Sequence, residues 1–404
     1  MHIERFLEEE IRRYLKKKEI IAVVGPRQSG KTTLIKKLFA ELKNAVFLDF
    51  EDRETLELFN QDIKSFVDLY VKKYDYLFID EFQYAKEGGK QLKYIYDNYK
   101  TKIIISGSSV SEISINSIKY LVGRIFVFNL YPVSFEEFLN FKEPEIYKNI
   151  YLKKHLSKPI IDRILPYFYD FCLFGGYPRV IITEDKKEKE TVLKNIYNTY
   201  FLKEIKEILN LPDDYKLSRL ISALALQIGN IINYNEVSGI TGFRYADLLK
   251  HINVLEKTFI CLTSKPFYTN KRTELVKAPK IFFLDNGFRN TVVKNFQSLE
   301  NRQDKGSLYE NFVASELVKG GSDIKYWRSK SKAEVDFVIE KAGKIIPIEV
   351  KSSLIEPKLT KSFHSFLDHY KPKNGYVFSE KLWKDAVRVK FRPIFFVEKS
   401  IQKL

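Results

Sequence analysis

Cysteine is nearly absent from this chain, with two in 404 residues. Both, Cys172 and Cys261, sit in apolar stretches (DFCLF and FICLT) that read as core. That excludes a disulfide framework, and no zinc site follows from them. Long apolar runs are missing as well. No stretch of eighteen apolar residues occurs, and the start of the chain (MHIERFLEEEIRRYLKKK) is charged throughout, without the apolar centre of a signal peptide. The expectation is a cytoplasmic protein with no integral membrane association.

What is present is globular composition, 45% hydrophobic and 30% charged, with a marked basic excess. Sixty-eight Lys and Arg against 52 Asp and Glu give a formal net charge of +16. An excess of that size favours a polyanionic partner, either nucleic acid or an acidic membrane surface, and carries no information about sequence specificity. At about 150 residues per domain, a chain of this length holds two to four domains.

The most specific motif is Gly25, Pro26, Arg27, Gln28, Ser29, Gly30, Lys31 and Thr32, which match the phosphate-binding pattern GxxxxGKT. Its context is right: Glu19 to Val24 reads as a buried parallel strand, and Thr33 to Leu42 carries helical periodicity. The two glycines let the backbone curl so that successive N–H groups and the helix start point at phosphates. Lys31 then reaches the β- and γ-phosphates of ATP, Thr32 offers a hydroxyl to Mg²⁺, and Thr33 closes the loop. A second strand, Asn44 to Phe50, precedes a third, Tyr76 to Asp80, which ends in Asp80 and Glu81. Paired carboxylates there divide the work: Asp80 holds the Mg²⁺ and Glu81 orients and deprotonates the attacking water. The fourth strand ends in Ser106, Gly107, Ser108 and Ser109. Ser106 or Ser108 could sense the γ-phosphate, and a plain Ser/Gly turn is the other reading.

The order GPRQSGKT, FIDEFQ, ISGSS, LVGR (ending at Arg124), YPVSFEEF and GGYP (Gly175 to Pro178) resembles a widespread prokaryotic family of AAA+-type ATPases related to archaeal replication-initiator ATPases. The resemblance covers essentially the whole chain and implies a parallel sheet of strand order 5-1-4-3-2. It places Arg124 where an arginine finger would stand; supplied in trans, a finger couples hydrolysis to assembly of a homo-oligomer, whereas a surface salt bridge is the alternative. It also implies a C-terminal winged helix and a PD-(D/E)XK nuclease-like domain. The expected fold is α/β throughout, with a P-loop core at 1–140, a helical lid at 141–212, a winged helix at 213–290 and a restriction-endonuclease-like domain at 291–404. The charged run Glu184 to Glu190 reads as a solvated turn.

Within 213–290, helices are expected at Leu217 to Ile228, at Glu236 to Gly239 capped by Asn235, and at Arg244 to Lys257. A hairpin of Phe259 to Lys265 and Thr273 to Leu284 would form the wing. Arg244, Tyr245 and Lys250 would face duplex DNA from the third helix, with Lys265, Lys271, Arg272 and Lys277 on the wing. Winged helices also dock proteins, so a regulatory ATPase with protein partners is the competing function.

In the last block, Asp336 and the Glu349-x-Lys351 triplet resemble the nuclease signature, with Glu310 as the acid on the first helix. Side chains alternate along a strand, so Glu349 and Lys351 emerge on one face beside Asp336 of the neighbouring strand. Asp336 and Glu349 would hold Mg²⁺, and Lys351 would position the attacking water. Two features depart from the pattern: Pro347 stands inside the strand that carries Glu349, and Val335 replaces the proline before Asp336. A nuclease fold without cleavage stays open.

Overall fold

Ile20–Val24 is apolar at every position and fully buried, as a strand covered on both faces must be. The computed structural model, which describes residues 2–107, 120–152, 156–212 and 214–402, places this strand, β1, inside a five-stranded sheet. Its partners are β2 (Ala45–Asp49), β3 (Tyr76–Asp80), β4 (Lys102–Gly107) and β5 (Ile125–Asn129). The order is β2-β3-β4-β1-β5 and every pair is parallel, which is the 5-1-4-3-2 arrangement read from the other edge.

Alternation along these strands splits the core in two. Ile21, Val23, Phe78 and Ile104 pack with Ile11 of α1 (Phe6–Tyr14) and with Leu34, Ile35 and Leu38 of α2 (Lys31–Ala40). Ile20, Ala22, Leu77, Ile79, Ile103 and Ile105 pack on the other face with Leu92 and Ile95 of α3 (Gly88–Asn98). Buried Glu8 on α1 is tied to Lys37 on α2 at 2.6 Å. These residues belong to the first of two compact units, 1–133 with 257–259; the second comprises 134–256 and 260–404.

The second unit opens with α4 (Phe135–Lys142), α5 (Lys158–Phe174) and α6 (Lys186–Asn195). The run at 184–190 is a helix start, not a solvated turn: Asp185 caps α6 by accepting from the Glu188 amide, and buried Lys189 reaches Asp170 at 2.6 Å. Three helices follow where expected, α7 (Tyr215–Leu226), α8 (Tyr234–Thr241) and α9 (Tyr245–Lys257), although Asn233, rather than Asn235, caps α8.

The expected wing is different in kind. Strands β6 (Cys261–Pro266) and β7 (Lys280–Phe283) do form an antiparallel pair, but Lys271–Val276 between them is helical, started by the Asn270 cap. The outer edge of β6 is also taken, because Lys265 and Pro266 pair in parallel with Lys325 and Tyr326 of β8 (Ile324–Arg328). The hairpin is therefore the edge of a larger sheet. That sheet continues through β9 (Glu334–Lys341), β10 (Lys344–Val350), β11 (Gly375–Ser379), β12 (Lys384–Asp385) and β13 (Val389–Pro393), in the order β12-β13-β11-β10-β9-β8-β6-β7. The division expected at residue 290 follows no sheet boundary.

Two more helices matter to the site: α10 (Asn286–Val292) and α11 (Lys305–Lys319). Asp285 caps α10 through the Phe288 amide and also accepts from the Gly176 amide at 2.7 Å, which locks the GGYP turn onto α10. A Cβ at Gly175 would stand 2.1 Å from that carboxylate. Among the described residues no helix is long and apolar enough to cross a membrane.

Candidate functional site

The turn between β1 and α2 is built around positions that reject a side chain. At Gly25 a Cβ would lie 2.1 Å from the Leu130 carbonyl oxygen just beyond β5, and Gly30 takes φ 96° as the N-cap of α2. Gly30 supplies no side-chain cap and the first turn of α2 carries no acid. The leading N–H groups of the helix thus remain available to an anion. Inside the loop, Ser29 Oγ is buried without a hydrogen-bond partner among the described residues. Lys31 is buried and its Nζ donates to the carbonyl oxygens of Gly25, at 3.1 Å, and Pro26, at 3.0 Å. Thr32 is half-buried on the helix and Thr33 is exposed.

One residue that holds this loop was not foreseen. Buried Arg5 donates from Nη1 to the Ser29 carbonyl at 3.0 Å and from Nη2 to the Tyr131 carbonyl at 2.7 Å, so it clamps the loop to the segment after β5. No motif marks it, because its partners are distant in sequence.

At the end of β3, buried Asp80 accepts on Oδ1 from Ser106 Oγ of β4 and from the Glu81 amide at 3.1 Å. The next residue, Glu81, adopts φ 51°, an uncommon conformation for a residue other than glycine, and its Oε2 accepts from Gln83 Nε2. Strand β4 lies between β1 and β3, so Ser106 stands between the P-loop strand and the two carboxylates. Ser108 and Ser109 lie outside the described residues. A hydroxyl from Thr32 and a carboxylate from Asp80 form an all-oxygen donor set, which suits a hard cation such as Mg²⁺.

Arg124 falls at the opposite end of the sheet. The residue after it, Ile125, pairs with Ile20 at the start of β1, whereas the P-loop follows Val24 at its end. Five strand residues at ~3.3 Å each put roughly 16 Å between those ends. Arg124 ion-pairs with Asp97 there, Nε to Oδ1 at 2.9 Å, and does not reach the P-loop of its own chain.

The second constellation lies in the eight-stranded sheet. Phe337 pairs with Ile348, which sets Asp336 and Glu349 one residue further along β9 and β10. Asp336 Oδ2 accepts from the Val350 amide at 2.7 Å, Glu349 accepts from Thr360 Oγ1 at 2.9 Å, and Lys351 Nζ stands 2.8 Å from Glu349 Oε1. Pro347 is accommodated because pairing of β10 with β11 begins only at Ile348, so that flank requires no N–H from it. Glu310 comes from α11. Part of its side chain reaches solvent, but the carboxyl lies deep, and burial, reinforced by the charge of Asp336, raises its pKa to about 8.

Lys280 of β7 is a member that sequence reading missed. It is buried, 2.5 Å from Glu334, and its charge acts on both Glu310 and Asp336. The four expected residues are thus electrostatically one group, with two lysines balancing the acids. Among the described residues, no three His, Cys, Asp or Glu side chains are arranged to hold a metal ion.

Arg244, just before α9, and Tyr245 and Lys250 on it are exposed, as are Lys265, Arg272 and Lys277. Lys271 differs from expectation in being engaged already, with Glu274 at 3.2 Å and Glu340 at 3.1 Å.

Residues 17–139 match the family described as AAA domain. Residues 165–299 and 305–390 match two domains of unknown function, DUF8612 and DUF4143. The chain therefore carries a P-loop domain of AAA type followed by two domains without an assigned role. It is 27% identical over 356 residues to an uncharacterized protein of Haemophilus influenzae, covering 83% of each chain. An uncharacterized protein of Methanocaldococcus jannaschii is 24% identical over 335 residues, 80% of this chain and 72% of that one. Among solved structures, a Walker-type ATPase of Pyrococcus abyssi aligns at a TM-score of 0.48 with 17% identity, over 72% of this chain and 96% of that one. The ORC2 protein of Aeropyrum pernix in its ADP form aligns at 0.38 with 14% identity, over 74% and 96% respectively.

Proposed function

We propose that this protein hydrolyses ATP with Mg²⁺ at the P-loop and uses the cycle to control engagement of DNA by its second unit. The observation that carries the first half is the place of Lys31: a buried ammonium that donates to the Gly25 and Pro26 carbonyls at the head of a helix without a side-chain cap. Bound Mg-ATP supplies the phosphoryl group and its charge. Lys31 exchanges the Gly25 and Pro26 carbonyls for phosphate oxygens, whose negative charge makes the contact an ion pair and so a stronger one. Thr32 and Asp80 hold the cation, and Ser106 fixes the Asp80 carboxylate. Glu81 takes a proton from the attacking water, and Gln83 orients it. Phosphate release measured on Lys31→Ala and Glu81→Gln tests this reading; wild-type-like turnover in both variants would sink it.

Duplex DNA is assigned to α9 and the residue before it, where Arg244, Tyr245 and Lys250 are exposed, and the net charge of +16 supports it. Affinity should fall steeply with salt, with a log–log slope near −0.9 per phosphate contacted. Absence of duplex binding at low salt would favour a regulatory ATPase with protein partners.

For Glu310, Asp336, Glu349 and Lys351, DNA cleavage is the activity their chemistry suits. A second reading, a nuclease-like fold that does not cut, draws support from the Lys351–Glu349 ion pair and from the neutral form that burial favours for Glu310. A divalent-metal assay on linear and branched DNA, with and without ATP, separates the two. Cleavage lost in Lys351→Ala establishes the site, and no cleavage by the wild type selects the second reading.

A further inference from the structure

At the end of the five-stranded sheet away from the P-loop lies a cavity of about 760 Å³. Three connections wall it, each leading into the start of a strand: residues 15–18 before β1, 71–76 before β3 and 99–102 before β4. Six of the lining residues are lysines, against one acid, Asp75. Three more are tyrosines, Tyr74, Tyr76 and Tyr99, each half-buried so that part of the ring stays accessible.

The fold itself uses only some of this charge. Helix α1 ends here with unpaired carbonyls, and Lys102 satisfies them: its Nζ donates to Tyr14 at 3.0 Å, to Lys17 at 2.8 Å and to Glu19. Lys72 pairs with Asp68 at 2.5 Å, and Lys18 rests 4.5 Å from the centre of the Tyr96 ring. The remaining three, Lys16, Lys17 and Lys100, are exposed and form no ion pair among the described residues. Positive charge gathered on three separate loops, beyond what helix ends and ion pairs consume, repels itself unless an anion joins it.

We propose that this cavity binds single-stranded nucleic acid, with Lys16, Lys17 and Lys100 on phosphates and the tyrosines as platforms for bases. Concavity and aromatic walls select this partner among polyanions. A base must leave its stack to lie on a tyrosine, which a single strand permits and a duplex does not. A flat anionic membrane would meet the rim lysines but leave the tyrosines unused. The volume falls within the roughly 300–1,000 Å³ typical of sites that enclose a small ligand, room for a short segment of strand. This inference is independent of ATP hydrolysis and of the α9 face.

Fluorescence anisotropy with a labelled oligothymidylate of about twenty nucleotides, titrated with the full chain at several salt concentrations, tests it. The triple variant Lys16→Glu, Lys17→Glu, Lys100→Glu should bind at least about tenfold more weakly, and its log–log salt slope should be shallower by about 2, from ~0.7 per lost phosphate contact. Tyr74→Ala should weaken binding by roughly fivefold or more, the loss expected for one stacked base. Lys186→Glu with Lys187→Glu, exposed at the start of α6, should leave this affinity unchanged. Should the charge reversal unfold the protein, Lys16→Gln, Lys17→Gln, Lys100→Gln gives the same slope change with less strain. Equal affinity and slope in the triple variant overturn the proposal. So does a wild type that ignores the oligonucleotide at about 50 mM salt, or one that binds phosphatidylserine vesicles and not the oligonucleotide.

Discussion

Lys31 and Lys351 each follow a strand and each belong to a site with carboxylates, yet their ammonium groups are held by different acceptors. Lys31 donates to two neutral carbonyls, whereas Lys351 is paired with the buried carboxylate of Glu349. The acids differ in the same sense. Asp80 is held by a hydroxyl and an amide, both neutral, while Asp336 and Glu310 feel the charges of Lys280 and Lys351. A phosphate arriving at the first site replaces neutral carbonyl acceptors with charged ones, adding ion-pair attraction to the hydrogen bonds. At the second, a newcomer must first separate a half-buried ion pair, which leaves the buried Glu349 carboxylate without its cation. The P-loop is thus poised to gain charge, and the acidic cluster is already balanced.

The largest effect that breaks this contrast belongs to the first site. Lys31→Ala and Glu81→Gln should each lower ATP turnover by about 10²-fold or more, the range that one well-placed proton-transfer or charge-stabilising group supplies. The two should part on binding: Lys31→Ala weakens a fluorescent ATP analogue and Glu81→Gln does not. Next comes Arg5→Ala. A buried hydrogen bond to a charged group is worth about 1.5–3 kcal/mol, so loss of its hold on Ser29 should weaken nucleotide binding by about tenfold or more. Titration of the same analogue reads this directly, and unchanged affinity would show that the loop keeps its shape unaided.

That Arg5 had to be seen in the structure while Lys31 did not is a matter of locality. The P-loop chemistry is written in eight consecutive residues whose strand and helix flank them, so the spacing alone carries the geometry. The carboxylates at Asp80 and Glu81 are legible for the same reason, whereas the strand order follows from the family resemblance and not from spacing. Arg5 acts on Ser29 and Tyr131, and Lys280 on Glu334, through contacts that no local pattern encodes. Lys280 stands at the head of an apolar strand where a lysine reads as a solvated end. The wing was misread because alternation tells which residues form a strand and not which edge is taken; only the pairing of Lys265 with Lys325 shows that β6 belongs to the larger sheet.

A smaller effect sharpens the second site. The folded pKa of Glu310, near 8, lies above its ordinary value of 4.5, so the folded state keeps a proton that the unfolded chain releases between those values. Stability from this group is therefore present at low pH and is lost as pH rises toward and through about 8. Glu310→Gln cannot titrate. Its melting temperature should match the wild type near pH 5 and exceed it near pH 9 by several degrees, since each pKa unit of difference is worth about 1.4 kcal/mol and each kcal/mol about 2–4 °C in a unit of this size. A difference that stays flat over that range would mean that Glu310 is charged at neutral pH and free to serve a cation.

The smallest expected effect concerns whether the first site is complete within one chain. Arg124 is half-buried beside exposed Asp97 at the far end of the sheet, and a surface pair of this kind adds little to stability and is screened by salt. In dilute protein Arg124→Ala should therefore leave both melting temperature and turnover unchanged. If the arginine completes a neighbouring subunit's site, turnover per chain rises with protein concentration in the wild type and stays flat in the variant. A loss of turnover in dilute Arg124→Ala would contradict the geometry, because within one chain the length of β1 separates that guanidinium from the P-loop.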